Sequence, residues 1–340
     1  MLRVAMVGTG GMARTYRECY AKLPDVEWSL AIDVNDTELE NCIKLGAKRT
    51  SKNFSDALGP GIDVVDISTP NHLHEEQAIS ALNAGKHVLL QKPMSNTLSG
   101  ADNIMKAARA SKGNLGMYMS SYTQPLMWEI KQLIDSGALG KIQSIRARDA
   151  HRGGLAAKKE AWRGSLEKTG GGSFIQLSIH SINMVQWWLG AKITEVSAFS
   201  ANQYCPNIGG DDVTTAIAKF ENGIFGVFDS GYASVGGSKE IFGSRGTLRL
   251  FAEGELELTL DQPWEGKLIK YTTPEKLMKF ERESVALNDT SNPYNQHRMF
   301  LEAIAAGKTP HMTGEHGWQD LAVVMAVYDS AKSGLVAKVR

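Results

Sequence analysis

The chain has few cysteines, no surplus of either charge and no long apolar run, and each shortage removes a class of function. Cys19, Cys42 and Cys205 lie far apart and form no CxxC pair, which argues against a disulfide framework or a zinc site. Lysine plus arginine equals aspartate plus glutamate, 37 of each, so no global positive field would hold a nucleic acid or an acidic membrane surface. No apolar stretch approaches the roughly 20 residues that span a bilayer. Disordered and low-complexity tracts are absent as well. The first residues read directly as a strand, with no room for a signal peptide, so a reducing cytoplasm is the expected compartment.

What remains is an ordinary globular composition of 340 residues, long for one hydrophobic core and suited to two domains. Residues 1–122 alternate strands and helices. Arg3 to Val7 is a short apolar run, followed at once by Gly8-Thr9-Gly10-Gly11-Met12-Ala13. A helix is expected over Ala13–Leu23, then a strand from Glu27 to Ile32 that ends on Asp33. Strand, glycine turn, helix, strand, acid is the order of a dinucleotide-binding unit. In that reading Gly8 permits the tight turn, Gly10 lets backbone approach a pyrophosphate, and Ala13 lets the helix lie close to the sheet. Asp33 would accept hydrogen bonds from an adenosine ribose and repel a 2′-phosphate, which favours NAD over NADP. A plain strand-to-helix turn using glycine for positive φ is the bland alternative.

The pattern repeats. Ile62 to Ser68 reads as a buried parallel strand, ending in Thr69-Pro70-Asn71-His72-Leu73-His74 before a helix over Glu75–Ala84. His87 to Leu90 is another strand, running into Gln91-Lys92-Pro93, and Leu115 to Met119 a further one. Loops at the carboxyl ends of parallel strands bind ligands, so Gly8–Ala13, Asp33, Thr69–His74 and Gln91–Pro93 should share one edge. Asn71 and His74 could instead cap the helix, and for His72 that plainer reading is preferred.

Residues 123–340 change topology. Hairpin-like strands replace the strand–helix alternation; Glu221-Asn222-Gly223 is a turn signal, and Leu256, Leu258 and Leu260 alternate with polar residues, as in a half-buried antiparallel strand. The expected class is α/β: a doubly wound parallel sheet followed by an α+β domain. Within it, a helix from Gly172 to about Trp188 is apolar nearly all round, yet Gln176, His180 and Asn183 fall on one stripe. Buried polar groups without partners cost roughly 1–3 kcal/mol each, so the stripe lines a polar cavity or forms a structural network.

The stretches GTGGMA, STPNHLH, AGKHVLLQKP and GGGSFIQLSIHSIN, with the closing YNQHRMFLEAIAAGKTP, resemble the glucose–fructose oxidoreductase / inositol dehydrogenase / rhizopine-catabolism (Gfo/Idh/MocA) family over essentially the whole chain. The resemblance implies a Rossmann domain, a second domain with an open, mostly antiparallel sheet, and NAD- or NADP-linked oxidation or reduction of sugars and cyclitols. The family's Glu-Lys-Pro motif falls on Gln91-Lys92-Pro93, making Lys92 the catalytic lysine. Its Asp-x-x-x-His pair falls on Gln176 and His180. Trp162-Arg163 corresponds to a Trp-Arg pair near the nicotinamide.

On this basis Lys92, His180 and Gln176 are the expected catalytic residues. Gly8, Thr9, Gly10, Gly11, Met12, Asp33, Thr69, Pro70, Asn71, His74, Gln91, Lys92, Trp162 and Arg163 are expected around the cofactor. Lys92, Tyr122, Arg152, Gln176 and His180 are expected around the substrate, with no metal and with a homodimer or homotetramer formed through the second sheet. Two departures bear on the chemistry: Gln91 and Gln176 stand where the family has acids. A neutral glutamine can fix an imidazole but cannot stabilise an imidazolium as a carboxylate does, which favours the reductive direction or a proton relay through Lys92. Transient NAD use without net redox, or cofactor binding without catalysis, are the competing classes.

Overall fold

In the computed structural model, residues 1–252, 254–281 and 283–340 are described. The chain divides into two compact units, Met1–Thr123 with Val285–Trp318 and Gln124–Ser284 with Gln319–Arg340. The first crossing lies one residue beyond the expected boundary. The segment 285–318, expected in the second domain, belongs to the first. Its apolar residues Phe300, Leu301 and Ile304 are part of the core around Val4, Met6, Tyr16 and Tyr118, and burying them there is what draws the segment back.

In chain order the first unit contains β1 (Leu2–Val7), α1 (Cys19–Lys22), β2 (Val26–Ile32), α2 (Asp36–Lys44), β3 (Thr50–Ser51), β4 (Val64–Ile67), α3 (His74–Asn83), β5 (His87–Gln91), α4 (Leu98–Ala110) and β6 (Leu115–Tyr118). Six strands form a parallel sheet in the order β3-β2-β1-β4-β5-β6. The order reverses between β1 and β4, and ligands of such sheets bind in the crevice beyond that point. Strand β4 is buried along its whole length although it contains Asp66. The helix expected over Ala13–Leu23 is instead a 3-10 turn at Gly11–Thr15 followed by the single turn α1. Tyr16 leaves helical geometry at φ −140°. Its ring packs on Tyr118 and its hydroxyl bonds Ser68, tertiary contacts that override local helix preference.

The second unit contains α5 (Pro125–Asp135), β7 (Ile142–Ala150), α6 (Leu166–Thr169), α7 (Ile179–Leu189), β8 (Ile193–Ala201), β9 (Val213–Phe220), β10 (Phe225–Gly231), β11 (Ser238–Gly243), β12 (Gly246–Phe251), β13 (Glu255–Leu260), the short pair β14 (Trp264–Glu265) and β15 (Lys270–Tyr271), and β16 (Met278–Glu281). Helix α8 (Gln296–Ala305) returns to the first unit; α9 (Gly314–Ser333) contains the last crossing, and β17 (Ala337–Lys338) ends the second. Among the described residues the large sheet has nine strands, in the order β16-β13-β12-β11-β7-β10-β9-β8-β17. All its pairs are antiparallel except β7 with β10. Strand β9 alternates buried and exposed residues along its length, the period of a sheet with one face on a core.

Candidate active site

The first unit supplies the dinucleotide edge. Gly8 lies just past β1 at φ +82°, and a Cβ there would come within 2.8–2.9 Å of the Ser68 carbonyl and the Thr69 nitrogen. Only glycine fits where β1 and β4 part. Gly11, at φ +48°, has open space in front of it, and the nearest atoms to a Cβ on Gly10 are 3.9 Å away or more. Bare backbone therefore faces outward at this turn, as an approaching pyrophosphate requires. Met12 is exposed beside it, and Thr9 is fully buried. The Thr9 backbone N–H and hydroxyl both donate to Asp33 Oδ2, at 2.7 and 3.1 Å, and Asn35 N–H donates to Oδ1 at 3.0 Å. Asp33 is half-buried, and with three of its roughly four acceptor sites taken it keeps about one, on Oδ1, for a ribose hydroxyl. The residues present fit the cofactor.

Behind the turn, Arg17 donates to the Thr9 carbonyl at 2.8 Å and pairs with Glu38, which also pairs with Arg14. Bonding to Arg14, then to Arg17, holds the Glu38 carboxyl below its ordinary range against the effect of burial.

Thr69 and Pro70 are half-buried, while Asn71 is buried at the start of the turn that leads into α3. The His74 ring is fully buried and spans two strand ends, with Nδ1 2.8 Å from the Pro93 carbonyl and Nε2 2.8 Å from the Thr69 carbonyl. The ring thus bridges the loop after β4 and the loop after β5, its neutral form donating to one of the two carbonyls. Burial pulls its pKa down. The tie fixes Lys92, half-buried, one residue past the end of β5 and joined to Pro93 by a cis peptide. Gln91 Oε1 accepts the Lys92 backbone N–H at 3.1 Å. Tyr122 is buried, its ring 5.4 Å from that of His311.

The second unit contains His180. The expected helix begins as a π-helical turn, Phe174–Ser178, and continues as α7; such turns are rare and often mark functional sites. Its start is fixed by Asp211, whose carboxylate accepts from the backbone N–H groups of Gly172 and Phe174 at 2.8 and 3.0 Å. It also accepts from the hydroxyls of Ser173, Thr214 and Tyr328 at 2.7–2.8 Å. A Cβ on Gly172 would lie 1.8 Å from the Asp211 carbonyl oxygen, so the glycine run is a close-packing device there. Gln176 is buried and His180 half-buried. His180 lines a cavity of about 210 Å³ with Leu177, Asp149, His151, Lys239 and Arg148. Asp149 accepts from Ser181 and lies 3.3 Å from Lys239 Nζ, while Arg148 pairs with Asp229.

The third member of the stripe does something else. Asn183 donates to Asp320 Oδ2 at 2.6 Å and Gln186 to Oδ1 at 3.1 Å. Asp320 is buried, which drives its pKa well above the carboxylate range despite those two bonds. Arg152 is exposed in a short 3-10 turn; the exposed Arg163 stacks on the half-buried Trp162 at 4.4 Å. Asp211 and Asp320 escaped sequence reading because all their side-chain partners but Thr214 lie more than thirty residues away. Lys239 sits on β11 with no motif around it.

Residues 2–119 match the description "Oxidoreductase family, NAD-binding Rossmann fold" and residues 127–249 match "GFO/IDH/MocA C-terminal domain". The chain belongs to the Gfo/Idh/MocA oxidoreductase family. It is 28% identical over 288 residues to a 1,5-anhydro-D-fructose reductase of Ensifer adhaerens, covering 82% of this chain and 80% of that protein. It is 24% identical over 330 residues to a myo-inositol 2-dehydrogenase of Thermotoga maritima, covering 93% and 92%. The fold matches that of a levoglucosan dehydrogenase solved in complex with NADH, with a TM-score of 0.87 at 20% identity, covering 100% and 99% of the two chains. The protein is thus an oxidoreductase whose first unit is an NAD-binding Rossmann domain.

Proposed function

We propose that this family member is an NAD(H)-dependent dehydrogenase or reductase that acts on a hydroxyl or carbonyl carbon of a neutral sugar or cyclitol. The observation that carries the reading is the cavity beside His180. Among the described residues, its two permanent cations, Arg148 and Lys239, are each paired with a carboxylate, which leaves no surplus charge there for an anionic substrate. It presents hydrogen-bonding groups suited to a polyol. The named relatives, a reductase of an anhydro-sugar and a dehydrogenase of an inositol, support the same class.

Bound NAD would accept or give the hydride, and the glycine turn with Asp33 would hold it. Lys92 donates a hydrogen bond to the reacting oxygen, stabilising alkoxide charge as it develops. His180 holds or releases the proton of that oxygen, with Gln176 fixing the tautomer of its ring. A glutamine in that position cannot stabilise the imidazolium as a carboxylate would, which favours carbonyl reduction. The test is a panel of polyols, aldoses and ketoses with NAD or NADH, followed by NADH absorbance. Turnover of a neutral cyclic polyol or its keto form is expected; turnover of phosphorylated sugars alone would contradict the reading.

We also assign the outer face of the large sheet to a second copy of the chain. Phe199, Ile217 and Phe225, on β8, β9 and β10, are 85%, 57% and 55% exposed, and apolar residues clustered on a sheet face are usually covered. Light scattering should give a dimer or tetramer, and a monomer would refute it. The three cysteines are free and buried, as suits a reducing cytoplasm.

A further inference from the structure

Beneath the Lys92 loop, the first unit contains a run of polar groups, buried except for the half-buried Ser68, that the reaction scheme does not use. Gln91 Nε2 donates to the Tyr16 hydroxyl at 3.2 Å; Tyr16 and Ser68 are joined at 2.7 Å; Ser68 Oγ donates to Asp66 Oδ1 at 3.1 Å. Asp66 Oδ2 accepts from the Tyr20 hydroxyl at 2.7 Å and lies 3.7 Å from His297 Nε2. Tyr16, Tyr20, Asp66 and His297 are each 1% exposed and Gln91 is 9% exposed. The His297 ring is 4.5 Å from that of Tyr16 and 4.7 Å from that of Tyr118. Burial alone would lower the His297 pKa, but Asp66 and Cys19 outweigh it and raise it to about 9.

The direction of this chain is fixed by its ends. The Asp66 carboxylate takes the Ser68 proton, so Ser68 must accept from Tyr16, and Tyr16 must accept from residue 91. Only a side chain with a donor can stand there. The other end of the same amide, Oε1, holds the Lys92 backbone N–H. An ionised glutamate, the residue the family pattern has at this place, would turn Tyr16 round and break its bond to Ser68.

We propose that Gln91, Tyr16, Ser68, Asp66 and His297 form a positioning network that holds the Lys92 loop in its working geometry, and that the glutamine is required because the network needs a donor at residue 91. The proposal rests on the assignment of Lys92 as the residue that bonds the reacting oxygen. None of the five touches that oxygen; they act through the Lys92 backbone.

The experiment compares K92A, Y16F, S68A, Q91A and Q91E, each by kcat, KM and pH profile, with thermal melts to establish folding. Y16F, S68A and Q91A should lose between about ten- and a hundredfold in kcat at unchanged KM for NADH, the size of effect that a misplaced catalytic group gives. Q91E should lose activity as pH rises through the pKa of the new carboxyl, a descending limb absent from the parent. Protonated, the carboxyl donates to Tyr16 as the amide does and activity returns towards the parent's; ionised, it cannot. The titratable groups around position 91 are Tyr16, Cys19 and Tyr20 of α1 and its preceding turn, Asp66 of β4, Tyr118 of β6, His297 of α8 and Lys92 itself. All are present in the parent and so cancel in the comparison. An inactive K92A beside Y16F, S68A and Q91E with the parent's kcat and pH profile would overturn the network and leave Lys92 in place. An active K92A would overturn the Lys92 assignment and the network's purpose with it.

Discussion

The Lys92 loop and the His180 helix are built differently. The former lies among loops at adjacent strand ends, tied by His74 and supported by Gln91, all within a short stretch of chain. The latter is a helix whose start is held by Asp211, more than thirty residues downstream, and whose side is braced by Asp320, still further on. Short-range ties therefore hold the Lys92 loop directly, with the buried run from Tyr16 to Asp66 behind them, whereas the His180 helix is held by distant carboxylates. Changes near Lys92 should act on turnover, and changes at the carboxylates should act first on folding.

The largest expected effect belongs to Lys92→Ala, which should lower kcat by about 10³-fold or more while NADH affinity by fluorescence titration stays within a few-fold. Full activity would remove the lysine from the reaction. His180→Ala should cost about 10²-fold in kcat; an equal fall in both variants at unchanged stability would sharpen the contrast with the carboxylates behind them. Asp211→Ala leaves several buried donors without an acceptor and should destabilise by about 3–5 kcal/mol in urea unfolding. A change below about 1 kcal/mol would mean that the helix start is held by something else.

The His297–Asp66 pair gives a pH-dependent effect of similar or smaller size. His297 is raised to about 9 in the folded protein against roughly 6.5 unfolded. The folded state thus binds the proton more tightly, its contribution is complete below about pH 6.5, and it is lost as pH rises through about 9. Over that window unfolding free energy should fall by an amount on the order of 3 kcal/mol, and His297→Gln should flatten the curve. The smallest effect is at a local cap. Thr97 accepts from Gly100 N–H at 3.0 Å at the start of α4, and Thr97→Ala should cost only about 1 kcal/mol with no change in kcat. If Thr97 and Asp211 proved equal, the contrast between local and distant support would fail.

The same contrast decides what was legible. Gly8, Asp33 and the strand–glycine turn–strand order around them were readable because a glycine at positive φ and an acid at a strand end are local requirements. Lys92 and His180 stood out through motif resemblance, and the alternation in β13 foretold an antiparallel strand. Asn183 looked like the third member of a site stripe. Its bond to Asp320 is long-range and left no mark in the spacing. The helix over Ala13–Leu23 was misjudged because Tyr16 is drawn inward by Ser68, Tyr118 and His297, none of them neighbours in sequence. Gln91 read as a lost acid; the buried chain behind it, with its required donor, could be seen only once Tyr16 and Asp66 were placed.

The measurement that bears most directly on the account is a crystal structure with NADH and a cyclic polyol bound. The account predicts the reacting hydroxyl within hydrogen-bond reach of Lys92 Nζ. A ligand whose hydroxyls are all held elsewhere, with the Lys92 amine engaged only by protein groups, would contradict it.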